Sequence, residues 1–287
     1  MEHAHDTMET PDVTFMTLPL AEGTIEAGPD QQERLEEFTE RVGRGEFHVR
    51  TEGKIPFGCI DGRDTRDGLA PKPDSAGGTE SIFVADDLTT RRYAAEDGTT
   101  VGGYVNILKR VDECGYEVGG HTDDHASGEG SGCGANDKLR LIYGFISQYG
   151  DQLRETAANL GVTVDDETFA TIKRNAAERN DFSTGRELLD ALKAYGEDKA
   201  DPLEGAHKEV VAVINTKEGT TLDRHAVRRE FGPNYQAFNV DVWSFNEAAE
   251  LVSETPEEVQ AKTFAMTLYN LATAHVLCGK NMRVVVL

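Results

Sequence analysis

The chain has 287 residues, 38% hydrophobic and 28% charged, with 29 glycines, enough to bury a substantial core in one large α/β domain or two small ones. Its formal charge of −23 opposes binding to phosphate backbones and anionic membrane surfaces, which are held by clustered Lys and Arg. Nucleic acid and membrane are therefore not expected as partners, and no apolar run reaches the length of a bilayer span.

In chain order, the opening MEHAHDTMETPD lacks a basic n-region and an apolar h-region, so a cytoplasmic location is expected. Residues 1–28 are polar with little periodicity and read as a loose or partly extended arm. Leu35, Phe38 and Val42 are spaced for a short amphipathic helix over 31–42. Residues 54–60 read as a strand running into a polar loop from Asp61 to about Thr79, at the strand end where open α/β folds place their chemistry. A helix is predicted over 101–114, stopped by Gly115, then a short strand over 116–121 and a second glycine-rich loop. Helices follow over 137–149, 167–179 and 184–195, with 150–205 read as a helical insertion. A strand over 210–214, a turn at 219–221, helices over 245–252 and 257–277, and a β-branched strand over 282–287 close the chain. These elements predict one α/β domain over 29–287, with a central mixed sheet flanked by helices.

The four cysteines, Cys59, Cys114, Cys133 and Cys278, are too sparse for a disulfide scaffold and would stay reduced in the cytoplasm. Cys114 and Cys278, near helix ends, read as buried small hydrophobes. Cys59, His121 and Cys133 each fall at a strand end or in a glycine-rich loop, where backbone can bend round an ion. Two thiolates and an imidazole suit a zinc-like dication, and three protein ligands leave a fourth position open for chemistry. Cys133 also precedes a helix, whose N-terminal partial charge favours thiolate. In Cys59-Ile60-Asp61-Gly62-Arg63, an extended backbone puts Cys59, Asp61 and Arg63 on one side. An Asp held by an Arg would accept the proton of a metal-bound water.

CIDGR (59–63), the pair Gly77-Gly78 and HTDDHASGEGSGCG (121–134) together resemble the zeta-class, cadmium-type carbonic anhydrases, and CIDGR also follows the C-x-D-x-R pattern of the related beta class. The resemblance continues through VVAVINTKEGTTL (210–222), NVDVWSF (239–245) and MRVVVL (282–287). It implies a beta-carbonic-anhydrase-like α/β fold and a Cys59–His121–Cys133 site for zinc or cadmium. It also implies Asp61 and Arg63 as a catalytic dyad, and reversible hydration of carbon dioxide to bicarbonate by a metal-bound hydroxide. The beta class's close H-x-x-C pair is absent, which favours the zeta class. The loop from His121 to Cys133 is longer than the family pattern and leaves His125 as a rival ligand, although the family places the first of the two histidines on the metal.

Backbone at Gly77 and Gly78 would wall a small apolar pocket for the substrate. Two thiolates and a neutral imidazole cancel the charge of a dication, so the bound water is less acidified than at a three-histidine site, and activity is expected to rise above neutral pH. Two other readings use the same residues. One is hydrolysis of carbonyl sulfide or carbon disulfide, also small and linear. The other is a non-catalytic zinc- or cadmium-binding protein with Asp61 as fourth ligand. Residue pattern does not set the oligomeric state.

Overall fold

The structure is a computed structural model describing residues 14–16, 29–50, 79–89, 93–94, 100–101, 139–198, 209–215, 220–231, 235–278 and 282–286. Among these, helices dominate. The longest, α8 (Pro256–Cys278), has 23 residues, whereas no described strand exceeds seven. The other helices are α1 (Pro29–Gly43), α2 (Thr79–Thr89), α3 (Leu139–Asn159), α4 (Asp166–Ala177), α5 (Gly185–Asp198), α6 (Arg224–Phe231) and α7 (Val242–Val252).

Local chemistry explains where several of these helices start. Asp165 caps α4: its side chain accepts hydrogen bonds from the Thr168 backbone N–H at 2.8 Å and the Thr168 hydroxyl at 2.9 Å, satisfying donors that the first turn leaves open. Those bonds, the backbone one foremost, hold the Asp165 carboxyl below its ordinary range. The starts of α5 and α8 repeat one another. The Thr184 and Thr255 hydroxyls accept from the Glu187 and Glu258 N–H groups at 3.2 Å. The same glutamates reach back to the backbone N–H of Ser183 at 2.8 Å and Glu254 at 2.7 Å. Both are variants of the capping box, and Pro256 adds a preset φ in the first turn of α8.

The expected helix over 137–149 is the first part of a longer one. α3 bends at Tyr149 (φ −117, ψ 17) and continues to Asn159. Gly150, just past the expected end, lies inside the helix against the Lys173 stem, where a Cβ would come within 3.2 Å. The helix ends before Gly161, whose φ of +77 is a conformation glycine adopts without a Cβ penalty.

The described strands form a four-stranded sheet and two small ladders. The sheet has the order β1 (Thr14–Met16), β8 (Met282–Val286), β5 (Glu209–Asn215), β7 (Tyr235–Asp241). β5 runs parallel to both β7 and β8, with Val211 opposite Ala237 and Arg283, while β1 pairs antiparallel with β8. Thr14–Met16, inside the segment read as an arm, is thus tied to the C-terminal strand. β2 (His48–Arg50) pairs with β6 (Thr220–Leu222), and β3 (Tyr93–Ala94) with β4 (Thr100–Val101). Residues 220–221, read as part of a turn, belong to β6.

The expectation of an α/β domain organised around a central mixed sheet is corrected by where the core lies. Among the described side chains, the main apolar cluster is built from α2, α3, α4, α5, α7 and α8 with the turn at Leu160. Its centre is a helix: residues 262–273 of α8 are buried without interruption, the pattern of a helix enclosed on every side. The described fold is therefore predominantly helical. Amphipathic stripes within 139–198 deliver Leu141, Ile142, Phe145, Leu153, Phe169, Ile172 and Leu188 to this core, as expected of helices stabilised by packing of an apolar face. A smaller cluster joins α1 to α6, with Phe38 and Phe231 rings 4.7 Å apart and Arg41 over Phe231 and Phe47. Arg41 also bonds Glu46 and Glu230, both at 2.7 Å.

Candidate functional site

The predicted ligands Cys59, His121 and Cys133, the rival His125, the dyad Asp61 and Arg63, and the glycines Gly77 and Gly78 all lie outside the described residues. So do Cys114 and the elements expected over 54–60 and 116–121, and of the helix expected over 101–114 only Val101 is described, in β4. The residues themselves fit a thiophilic dication on donor chemistry, with two thiolates and one imidazole. Among the described residues, no group of three or more His, Cys, Asp or Glu is arranged to hold a metal.

What the structure does describe is the helix that follows Gly78 directly in the chain. α2 packs on α8 and α4 and buries Ile82, Val84, Ala85 and Leu88. Two consecutive acids near its C-terminal end, Asp86 and Asp87, are buried as well. Successive helical residues are turned by about 100°, so the two carboxylates meet different neighbours. Asp86 pairs with Lys262 of α8 at 3.2 Å, and the Lys262 ammonium also donates to the Val252 carbonyl at 3.1 Å. Asp87 accepts from Arg179 Nε at 3.2 Å and from the Tyr143 hydroxyl at 3.4 Å.

Arg179 follows α4 and is itself held. Its Nη1 donates to the Asn175 carbonyl at 2.6 Å, and its guanidinium lies 5.7 Å from the centre of the Tyr143 ring. One turn earlier, the Asn175 side-chain amide donates to the Leu88 carbonyl at 2.7 Å, serving an acceptor in the last turn of α2. Four side chains thus fix the C-terminal half of α2: Lys262 of α8, Tyr143 of α3, Asn175 of α4 and Arg179 just after it.

Sequence reasoning found none of these groups, because 150–205 shows no chemical constellation when read alone. The available signal was the pair Asp86-Asp87 placed directly after the apolar run 82–85: acids that close to a buried stripe need cationic partners.

Comparison with protein-family models gives a match over residues 48–263 to the cadmium carbonic anhydrase repeat. The match defines the chain as an enzyme, a carbonic anhydrase, working with a metal cofactor on a small-molecule substrate. More particularly, the chain belongs to the cadmium carbonic anhydrase repeat family, of the zeta class. The matched span contains every predicted site residue, and also Asp86, Asp87, Arg179 and Lys262. No curated protein and no solved structure matches the chain. Among the described residues, no helix is long and apolar enough to cross a membrane.

Proposed function

We propose that the chain catalyses the reversible hydration of carbon dioxide to bicarbonate with a dication, zinc or cadmium, held by Cys59, His121 and Cys133. The observation that carries this reading is the co-occurrence, within the family-matched span, of a two-thiolate, one-imidazole donor set with an Asp and an Arg two and four residues beyond the first cysteine. Such a dication, when bound, acidifies water and makes a nucleophile available near neutral pH. Cys59 and Cys133 must be thiolates to bind, and a reducing cytoplasmic setting suits that requirement. Asp61, kept charged by Arg63, would accept a hydrogen bond from the nucleophile and so orient it. Gly77 and Gly78 leave room for a small linear substrate because they carry no side chains. The reading treats 29–287 as one domain, preceded by an arm over 1–28 and carrying a helical insertion at about 150–205.

The test is stopped-flow carbon dioxide hydration on protein of measured metal content, beside Cys133→Ser. Turnover proportional to metal and lost in the variant supports the reading. Metal-replete protein with no rate above buffer overturns it.

A further inference from the structure

The fold treats its two signs of charge differently. The chain holds 29 Lys and Arg against 52 Asp and Glu. Lys262 and Arg179 are enclosed against Asp86 and Asp87; these pairs are neutral in sum and leave the imbalance of −23 undiminished outside them. Arg154 and Lys173 lie over the Phe169 ring at 4.6 and 5.5 Å. Their side chains are 33% and 30% exposed, while the carboxylates they pair with, Asp166 and Asp151, stand 94% and 74% exposed. Arg41 rests in the same way on Phe47 and Phe231. Long cationic stems can cover apolar surface, and short carboxylates cannot. Among the exposed described residues, carboxylates therefore outnumber cations by more than they do over the chain as a whole.

These carboxylates also stand beside one another. Glu33 and Glu36 on α1, and Glu247 and Glu250 on α7, are exposed and three residues apart, a helical spacing at which like charges repel. Between Arg229 and Lys262 the sequence contains no Lys or Arg, and Lys262 itself is turned into the core. We infer that the folded state of this protein depends on ionic strength, its surface completed by a diffuse layer of monovalent cations in salt-rich solution. Net charge far from zero destabilises a compact state through self-repulsion. The screening length falls from about 30 Å at 0.01 M salt to about 3 Å at 1 M. At the high end even helical neighbours about 5–6 Å apart are shielded from one another. The enclosed pairs keep their attraction, because buried charges are screened much less. Salt thus removes repulsion outside without weakening the pairs within.

The experiment follows the thermal midpoint of the full chain, at constant measured metal content and fixed pH, from about 0.01 M to about 1 M potassium chloride. Beside it runs Glu33→Gln/Glu36→Gln/Glu247→Gln/Glu250→Gln, which removes four exposed charges and two like-charge contacts. The wild-type midpoint should rise across this range. The variant should melt about 1–4 °C higher than wild type at the low end. Its rise with salt should be shallower, so that the two curves converge near the high end. A wild-type midpoint that stays flat overturns the inference. An equal rise in both proteins, with no offset at low salt, overturns it as well, since that pattern belongs to the general strengthening of apolar burial by salt.

Discussion

Lys262 and Asp86 meet at 3.2 Å with side chains only 5% and 10% exposed, so the central helix α8 and the short helix α2 are joined by a charge pair inside the core. The Lys262 ammonium also serves the Val252 carbonyl in the last turn of α7. One cation therefore ties three helices.

Removing that cation alone takes a counter-charge from Asp86 in a low-dielectric site. Lys262→Met is expected to lose about 3 kcal/mol of stability. Lys262→Met/Asp86→Leu, which removes both charges, is expected to regain most of it. Chemical denaturation of the two variants beside wild type checks this. Equal destabilisation in both would mean that lost packing, not the stranded carboxylate, governs the cost.

Helix α3 sets a second limit. A Cβ at Gly144 would come within 2.8 Å of the Phe182 ring and 3.1 Å of both Asn180 and Leu188. Asn180 is already committed, donating to the Phe182 carbonyl and accepting from the Phe182 N–H, each at 2.8 Å. The turn between α4 and α5 therefore has little freedom to retreat. Gly144→Ala should cost about 1–3 kcal/mol through overpacking, despite the better helix propensity of alanine. Urea unfolding measures it, and a neutral or stabilising result would show that the turn yields.

How much of this was legible in sequence depended on whether a residue's partner lay nearby. The helices over 166–177, 185–198 and 256–278 were readable to within a few residues, because their signals are local: apolar spacing, an Asp cap on the first and Thr-x-x-Glu starts on the other two. α2 was not, since its stabilising partners, Arg179 and Lys262, are far along the chain and its own apolar run has no helical period. The central sheet was over-read: the β-branched runs at 209–215 and 282–286 do form strands, but run composition does not reveal that the buried centre is a helix. The proposed metal ligands, which lie outside the described residues, are legible only as residue types at suggestive places, given meaning by a motif rather than by periodicity.

Acid should act on the cap of α4 with a definite sign. The folded Asp165 carboxyl sits below its ordinary range because Thr168 donates to its charged form. A depressed pKa contributes stability above the unfolded value, and that contribution is lost as pH falls through the ordinary carboxylate range toward the folded value. Asp165→Asn keeps capping ability without the titration. The stability difference between wild type and this variant should be largest near neutral pH and shrink steadily toward pH 3, as read by thermal melts. A difference independent of pH would assign the cap's worth to hydrogen bonding alone.

The last prediction concerns which histidine holds the metal. His121 and His125 share one glycine-rich stretch before Cys133, and either imidazole has the right donor chemistry. A ligand and an outer partner differ in the size of effect. Mutating an outer-shell group weakens metal binding by about 10–100-fold, whereas removing one of three protein ligands should exceed that range. His121→Ala should therefore emerge from gel filtration with little metal and no hydration activity. His125→Ala should retain stoichiometric metal, with at most a modest loss of rate if it relays protons. Metal analysis of both variants, loaded at equal zinc and again at equal cadmium, distinguishes the two. The opposite pattern would move the ligand four residues along while leaving Cys59, Cys133 and the Asp61–Arg63 pair in their proposed roles. Loss of metal in both variants would instead indicate a four-ligand site, a closed centre that holds its ion without the open position hydration requires.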